Sequence, residues 1–526
     1  MSELSTVLLC RQFQWSDPAL ELLHPAIDLQ LQDKAQALVG LNGCGKSLFL
    51  RGLAGLEPRL VHKGELSWLR PFYYVSQHET ALEQSIRSYM SLDALFDALA
   101  RVEAGGVEQA DFDCIGERWL AKTELQHWLE QLGLPTDTTL ALAALSGGQL
   151  MKLRLAKAFA SGQFLLLDEV SNHLDQQSRL WLHHQLKQHK AGYLLVSHDV
   201  ELLSTVDCIY QLSPLGLEKY QGNYQDFMLQ SQRLQFELQQ QNDKLKKQQR
   251  AQQQQQQRLL ELQQQKHQQA KRNRTQANQA PILLGRKAQQ AEQSRGRLQL
   301  QVQAQQQELA TKRQQLQRQL DQRELPKLPA VRAVKSCNGP VICCDSLVLP
   351  YGHSAPLSFQ LDVQQRCLVS GSNGSGKSTL LKVLAGCLQP IQGMVQVKQQ
   401  LWYLDQHLSL VHDFDGAVEA IRALTEVQQE PQIRTALSGI GLDALRLAVP
   451  TQQLSGGERM KLLLLILALQ PYAPFLLLDE PDNHLDFQAR AMLQSFLHRY
   501  PAGFMLVTHQ QNQWQQFDFS ASVRLD

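Results

Sequence analysis

No run in this chain is apolar enough to cross a bilayer. The longest, LLLLILAL at Leu462–Leu469, has eight residues, against the ~20 that a spanning helix needs, and reads as a buried helix. The opening MSELSTVLLCRQF lacks the basic lead and long apolar stretch of an export signal. The nine cysteines form no CxxC pair, and their only adjacent members are Cys343 and Cys344. That excludes zinc-ligand spacing and a disulfide framework, leaving reduced, buried thiols in a cytoplasmic protein as the expectation. Proline is missing from Leu215 to Ala280, so a long uninterrupted helix is allowed there. Net charge is also nearly missing, at +1, but that average conceals an asymmetry. Residues 229–325 hold 18 Lys and Arg against 7 Asp and Glu, or +11, which leaves −10 on the rest. A basic segment on an acidic body points to a polyanionic partner for that segment.

What is present is a repeat. GLNGCGKS (Gly40–Ser47) returns as GSNGSGKS (Gly371–Ser378), and the LSGG ending at Gly148 returns as the LSGG ending at Gly457. FLLLDEVSNHLD (Phe164–Asp175) returns as FLLLDEPDNHLD (Phe475–Asp486), and LLVSHD (Leu194–Asp199) as MLVTHQ (Met505–Gln510). Four motifs in one order mark a duplication. The glycine loops lie 331 positions apart but the LSGG motifs only 309. The first copy therefore carries about twenty extra residues between Gln77 and Ser146, and Arg101–Cys114 is the expected place for much of them. Apolar β-type runs alternate with helical patterns in each copy, which predicts a doubly wound α/β unit. The expected domains are 1–228, a linker at 229–325, and 326–526.

GxxxxGK[ST] between a strand and a helix is a phosphate cradle. Gly40, Asn42, Gly43 and Gly45, and likewise Gly371, Asn373, Gly374 and Gly376, let the backbone turn its N–H groups and a helix N-terminus toward phosphates. Lys46 and Lys377 would neutralise phosphate charge. Ser47 and Ser378 would ligate Mg²⁺ through their hydroxyls, and Thr379 follows in the second copy. Asp168 and Asp479, ending the buried strands, would reach the same metal. Glu169 and Glu480 would orient or deprotonate the attacking water. Gln77 and Gln406 can bridge metal and water, and His198 and His509, at strand ends, can contact the γ-phosphate.

With LSGGQ and LSGGE added, the sequence resembles the ATP-binding cassette superfamily, with every motif class present twice. The resemblance implies a head-to-tail pair in which each Ser-Gly-Gly loop binds the ATP of the opposite copy. One site would combine Lys46, Asp168 and Glu169 with Ser455, Gly456 and Gly457. The other would combine Lys377, Asp479 and Glu480 with Ser146, Gly147 and Gly148. Trp15 and Tyr351, in matching places upstream of the phosphate loops, are candidates for adenine stacking, with burial in the core as the alternative. The departures from the family pattern are Leu48, Val170-Ser171 and Asp482.

Between the copies, Leu238, Leu245 and Leu259 fall on a seven-residue grid with Gln252 in the gap. Val302, Leu309 and Leu316 fall on another, with Leu320 four beyond. Good helix formers dominate. Two antiparallel helices of about 40 residues are expected, reaching roughly 60 Å; a disordered Gln-rich spacer is the alternative. The break TQANQAPILLG is flanked by Lys271, Arg272, Arg274, Arg286, Lys287, Arg295 and Arg297. A basic tip suits structured RNA, and a solvated charged helix face is the plain alternative. Pro281–Leu284 can pack against bases or staple the turn.

The whole layout resembles the ABC-F family: twin α/β P-loop cassettes, each a core sheet with a helical subdomain, joined by a helical-hairpin linker and lacking membrane domains. SNHLD, DNHLD and KYQGNYQDF (Lys219–Phe227) carry the likeness. It implies an ATPase using ATP and Mg²⁺, acting as a monomer on the ribosome. Its linker tip would point at rRNA and tRNA near the peptidyl-transferase centre, in translation or in rescue of ribosomes, including antibiotic-stalled ones. The first-copy insertion is short beside the helical arm of many members. A DNA-maintenance ATPase and a transporter motor subunit are the competing readings.

Overall fold

The computed structural model describes residues 5–16, 25–57, 61–76, 83–171, 174, 176–274, 307–314, 316–317, 320, 328–334, 339–372, 374–442, 444–447, 449–482, 485–508, 514 and 516–525. The chain divides into two compact units, Met1–Tyr224 with Pro326–Asp526, and Gln225–Leu325.

In the first unit each copy pairs a small antiparallel sheet with a mainly parallel one. The first copy runs β1 (Thr6–Ser16), β2 (Ile27–Gln32), β3 (Ala35–Gly40), α1 (Lys46–Leu53), β4 (Val61–Trp68) and β5 (Phe72–Val75). It continues through α2 (Ile86–Tyr89), α3 (Asp93–Glu103), α4 (Gln109–Ile115), α5 (Ala121–Gln131), α6 (Gly147–Ala160) and β6 (Phe164–Asp168). Then come α7 (Gln176–Gln188), β7 (Tyr193–Val196), α8 (Val200–Leu203), β8 (Cys208–Ser213) and β9 (Gly216–Gln221). The sheet orders are β2-β1-β4 and β5-β6-β7-β3-β8-β9. Only β9 is antiparallel in the larger sheet.

The second copy opens with β10 (Ile342–Val348), β11 (Leu357–Leu361) and β12 (Arg366–Gly371). The linker lies between, with α9 (Tyr224–Arg274) and α10, the helical residues 307–314, as its described helices. After β12 come α11 (Lys377–Leu384), β13 (Gln392–Val397), β14 (Leu401–Leu404), α12 (Ala417–Leu424), α13 (Glu430–Gly439) and α14 (Ala444–Leu447). It closes with α15 (Gly456–Ala468), β15 (Phe475–Asp479), α16 (Phe487–Arg499), β16 (Phe504–Val507) and β17 (Ala521–Leu525). Its parallel sheet, β14-β15-β16-β12-β17, repeats the order of the first, and β11-β10-β13 repeats the small sheet.

The central strands are mostly apolar because both faces are covered. Every residue of β6 and of β15 is buried. The reading of LLLLILAL as a buried helix holds, since Leu462–Ala468 of α15 sit in the core at 3% exposure or less. The extra residues of the first copy fold at α3 and α4. The chain turns at Gly105-Gly106, and Arg101 returns to Asp111 with a bidentate pair, Nη2 to Oδ1 at 2.6 Å and Nε to Oδ2 at 3.0 Å.

In the second unit α9 is 51 residues long, about 77 Å at ~1.5 Å per residue. It exceeds the expected 40 because nothing after Asn223 breaks it: no glycine or proline occurs up to Arg274. Its half-buried positions 238, 242, 245, 249 and 252 alternate at four and three, and the partner residues 309, 313, 316 and 320 do the same. That is a heptad seam. Asn242 Nδ2 donates to Gln317 Oε1 at 2.9 Å, and Arg313 Nη1 to Gln249 Oε1 at 2.8 Å. Residue numbers rise on one helix as they fall on the other, so the pair is antiparallel, and the leucine layers alternate with polar ones.

Candidate active site

Both phosphate loops turn on paired glycines at positive φ, Gly43 and Gly45 at 79° and 89°, Gly374 and Gly376 at 80° and 95°. These angles suit glycine alone among common residues. Each loop then opens a helix, α1 or α11, and aims its first turn into the loop. Lys46 Nζ donates to the carbonyls of Gly40 (3.0 Å) and Leu41 (3.1 Å). Lys377 Nζ does the same to Gly371 (3.0 Å) and Ser372 (2.7 Å). Both lysines are buried, and burial lowers the pKa of Lys377 against the opposing pull of Glu480 and Asp479.

Across each loop lies the end of the apolar strand. Ser47 Oγ donates to Asp168 Oδ1 at 3.0 Å, and Ser378 Oγ to Asp479 Oδ1 at 2.9 Å. The other carboxylate oxygens accept from Tyr74 (3.3 Å) and Tyr403 (2.9 Å). Burial raises the pKa of both aspartates, and the serine and tyrosine hydrogen bonds work against that rise. Glu169 and Glu480 follow with φ of 49° and 50°. A non-glycine residue there costs on the order of 1–3 kcal/mol, so the same strain twice marks a held geometry. The backbone N–H groups of Glu169 and Glu480 donate to Val196 and Val507. Gln406 Nε2 donates to Glu480 Oε2 at 2.8 Å.

His198 Nε2 stands 3.8 Å from Glu169 Oε1. That atom is buried without a hydrogen-bond partner among the described residues, as is Ser375 Oγ in the second loop. Burial, then Lys46 and Arg490, hold the imidazole well below its ordinary pKa. Two orphaned polar atoms beside two phosphate loops fit a polar ligand at each. A hydroxyl and a carboxylate together are hard oxygen donors that fit Mg²⁺.

The two copies meet at the first loop. Asn42 N–H donates to Asp486 Oδ2 at 2.8 Å. That oxygen lies 3.3 Å from where a Cβ on Gly457 would sit. Asp486 thus has the first phosphate loop on one side and the second Ser-Gly-Gly loop on the other. Ser146 and Ser455 cap α6 and α15 with full capping boxes to Gln149 and Glu458, leaving Gly147, Gly148, Gly456 and Gly457 in the first helical turn. Arg490 Nη1 also crosses, to the His198 carbonyl at 3.0 Å.

Tyr351 is 70% exposed, which excludes the core alternative for it, and the neighbouring His353 N–H donates to the Ser375 carbonyl at 2.9 Å, beside the loop. Gln77, Asn373, His509, Arg286, Lys287, Arg295 and Arg297 lie outside the described residues, as do the side chains of Trp15, Lys271, Arg272 and Arg274. Sequence reasoning missed Tyr74, Tyr403, Asp486 and Arg490. The tyrosines had a signal, since each stands three residues before its glutamine in both copies.

A family model described as ABC transporter matches residues 26–172 and 355–483, once per copy and just over half of the chain. The chain belongs to the ABC-F family of ATP-binding cassette proteins. It is similar to "Probable ATP-binding protein YheS" of Escherichia coli strain K12, at 29% identity over 90% of this chain and 71% of that one. "Uncharacterized ABC transporter ATP-binding protein YfmM" of Bacillus subtilis strain 168 is 28% identical over 91% of each. "ATP-binding cassette sub-family F member 2" of Mus musculus is 28% identical over 90% of this chain and 73% of that one. ATP binding with Mg²⁺ and ATP hydrolysis are, in general terms, what such paired cassettes do. Among the described residues, no helix is long and apolar enough to cross a membrane.

Proposed function

We propose that this ABC-F chain hydrolyses ATP at two composite sites and that ATP-driven closure of its cassettes engages the ribosome. The observation that carries the proposal is the Asn42–Asp486–Gly457 cluster, which joins one copy's phosphate loop to the other copy's signature loop. ATP seated on Gly40–Ser47 would be covered by Ser455, Gly456 and Gly457; ATP on Gly371–Thr379 would be covered by Ser146, Gly147 and Gly148. Binding then favours the closed pair, because only that state gives the γ-phosphate both sets of donors.

Ser47 and Asp168, and Ser378 and Asp479, would hold Mg²⁺, with Gln77 and Gln406 close by. Bound there, the metal supplies charge neutralisation on the phosphate oxygens. Lys46 and Lys377 neutralise further phosphate charge. Glu169 and Glu480 take the proton of the attacking water. Gln406, already on Glu480, orients that water. His198 and His509 would contact the γ-phosphate, and Trp15 and Tyr351 are the candidates to stack on adenine.

The basic linker gives closure its target. Its +11 charge attracts an RNA phosphate backbone, and twin cassettes without a membrane span in the described residues fit a cytoplasmic, monomeric factor acting in translation or ribosome rescue. The test is ATPase stimulation. Ribosomes should raise turnover several-fold, and Gln at Lys271, Arg272, Arg274, Arg286 and Lys287 should abolish the increase while leaving basal turnover intact. Stimulation by duplex DNA or by membrane vesicles in place of ribosomes would contradict the reading.

A further inference from the structure

Behind the groups expected to touch ATP, a chain of buried polar contacts crosses from the second copy to the first. It starts at Asp482, two residues past Glu480 and 3% exposed. The Asp482 carboxylate accepts from Thr508 Oγ1 at 3.1 Å and from Trp514 Nε1 at 3.3 Å. Its carbonyl accepts from Arg490 Nη2 at 3.4 Å. Arg490 stands on α16, one turn beyond Asp486, and is 8% exposed. Its other terminal nitrogen, Nη1, reaches the His198 carbonyl in the first copy at 3.0 Å. One planar guanidinium thus joins a carbonyl of each copy, which its rigid fork of donors favours.

Among the described residues, this series of contacts has a composition found once. The first-copy position matching Asp482 is Ser171, whose hydroxyl lies 3.3 Å from Ser197 Oγ. A hydroxyl stands where the second copy buries a carboxylate. The arginine matching Arg490 is Arg179, whose Nε donates within its own copy to Leu174 O at 3.1 Å. Asp482 therefore sets its own copy apart in the residues that back α16.

The target of Arg490 is well placed to matter. His198 lies between Ser197 and Asp199, and Asp199 caps α8 through Glu201 N–H. The Asp199 N–H in turn donates to Ser197 Oγ. The His198 carbonyl adds a hold on this short turn that comes from the other copy, on the residue whose imidazole stands 3.8 Å from Glu169. We infer that Arg490, braced by Asp482, is a positioning residue that the second copy supplies to the first ATP site, where it fixes the His198 peptide. It acts through His198. The inference rests on the proposed hydrolysis at the two sites.

The experiment resolves the sites. In full-length Glu480→Gln, a single turnover of ATP reports the first site; in Glu169→Gln it reports the second. Adding Arg490→Gln should slow the first-site turnover about ten-fold, or ~1.4 kcal/mol in the barrier, and leave the second within about two-fold, with ATP affinity unchanged. Arg490→Lys, which keeps one charged donor, should recover part of the loss. Independently of turnover, amide exchange across residues 197–203 of the nucleotide-free protein should quicken in Arg490→Gln while β15 and α15 stay protected. Equal slowing at both sites, or quickened exchange throughout the second copy, would make Arg490 a general support and overturn the inference. So would an unchanged first site beside normal turnover in both parents. Parents that hydrolyse nothing in a single turnover would remove the site assignment itself, and the inference with it.

Discussion

Asp486 has two duties that substitution can separate. Its Oδ1 accepts from Ala489 N–H at 2.8 Å as the N-cap of α16, and its Oδ2 accepts from Asn42 N–H in the other copy at 2.8 Å. Asp486→Ala removes both. A lost cap costs about 1 kcal/mol, which lowers Tm by roughly 1–2 °C in a unit of this size. A lost hydrogen bond to a charged acceptor costs about 2 kcal/mol, felt only when the copies are closed, or ~30-fold in the closing equilibrium. Asp486→Asn keeps a good cap but gives up the charge. It should leave Tm near wild type and weaken closure about five-fold, an intermediate value in line with a neutral hydrogen bond. The assay is ATP titration of cassette closure, read by energy transfer between labels on the two copies in the Glu169→Gln, Glu480→Gln background, beside thermal melting. A fall in Tm with an unchanged closure midpoint in Asp486→Ala would refute the reasoning and reduce Asp486 to a helix cap.

Three further perturbations follow from the same geometry. Tyr403→Phe frees Asp479 Oδ2, and since outer partners of a metal-binding carboxylate are worth roughly ten-fold in metal affinity, the Mg²⁺ midpoint for fluorescent-ATP binding should rise about that much; an unchanged midpoint would show the hydroxyl to be incidental. His198 has its pKa depressed by burial first, then by Lys46 and Arg490, so the unfolded chain takes up this proton first and stability falls as pH drops below about 6.5; nucleotide-free His198→Asn should lose less stability than wild type between pH 7.5 and 5.5 in urea melts, and identical losses would contradict the assignment. In the linker, replacing Gln249 and Arg313 together by Leu exchanges a polar seam layer for an apolar one, so amide exchange over 235–255 should slow; faster exchange would mean the layer is not in the seam.

Much of the site was legible because duplication supplied an internal comparison. A lysine loop or an acidic strand end seen once has several readings, but Lys46 with Lys377 and Asp168 with Asp479 recur at matched offsets, and the serine-to-aspartate contacts pair them the same way twice. The offset difference also located the first-copy insertion, where α3 and α4 turn on Gly105 and Gly106. Less legible was whatever depends on two distant segments meeting. Tyr74 and Tyr403 read as ordinary strand aromatics until the aspartates arrive beside them. Asp486 reads as the end of a motif, and nothing in its own copy announces Asn42, 444 residues away. In the linker, Leu238 and Leu245 showed one half of the seam. Asn242, Gln249 and Arg313, its other half, are indistinguishable in sequence from the polar residues on every other face.

The central claim is that ATP-closed cassettes hold this chain on the ribosome. Cosedimentation of Glu169→Gln, Glu480→Gln with ribosomes tests it, because each swap keeps the side chain's size and removes the base, so that the closed state persists. The account predicts pelleting with ATP, none for wild type with ADP, and loss of pelleting when Lys271, Arg272, Arg274, Arg286 and Lys287 become Gln. A variant that binds ATP and closes, yet stays in the supernatant with ribosomes under every nucleotide, would contradict it.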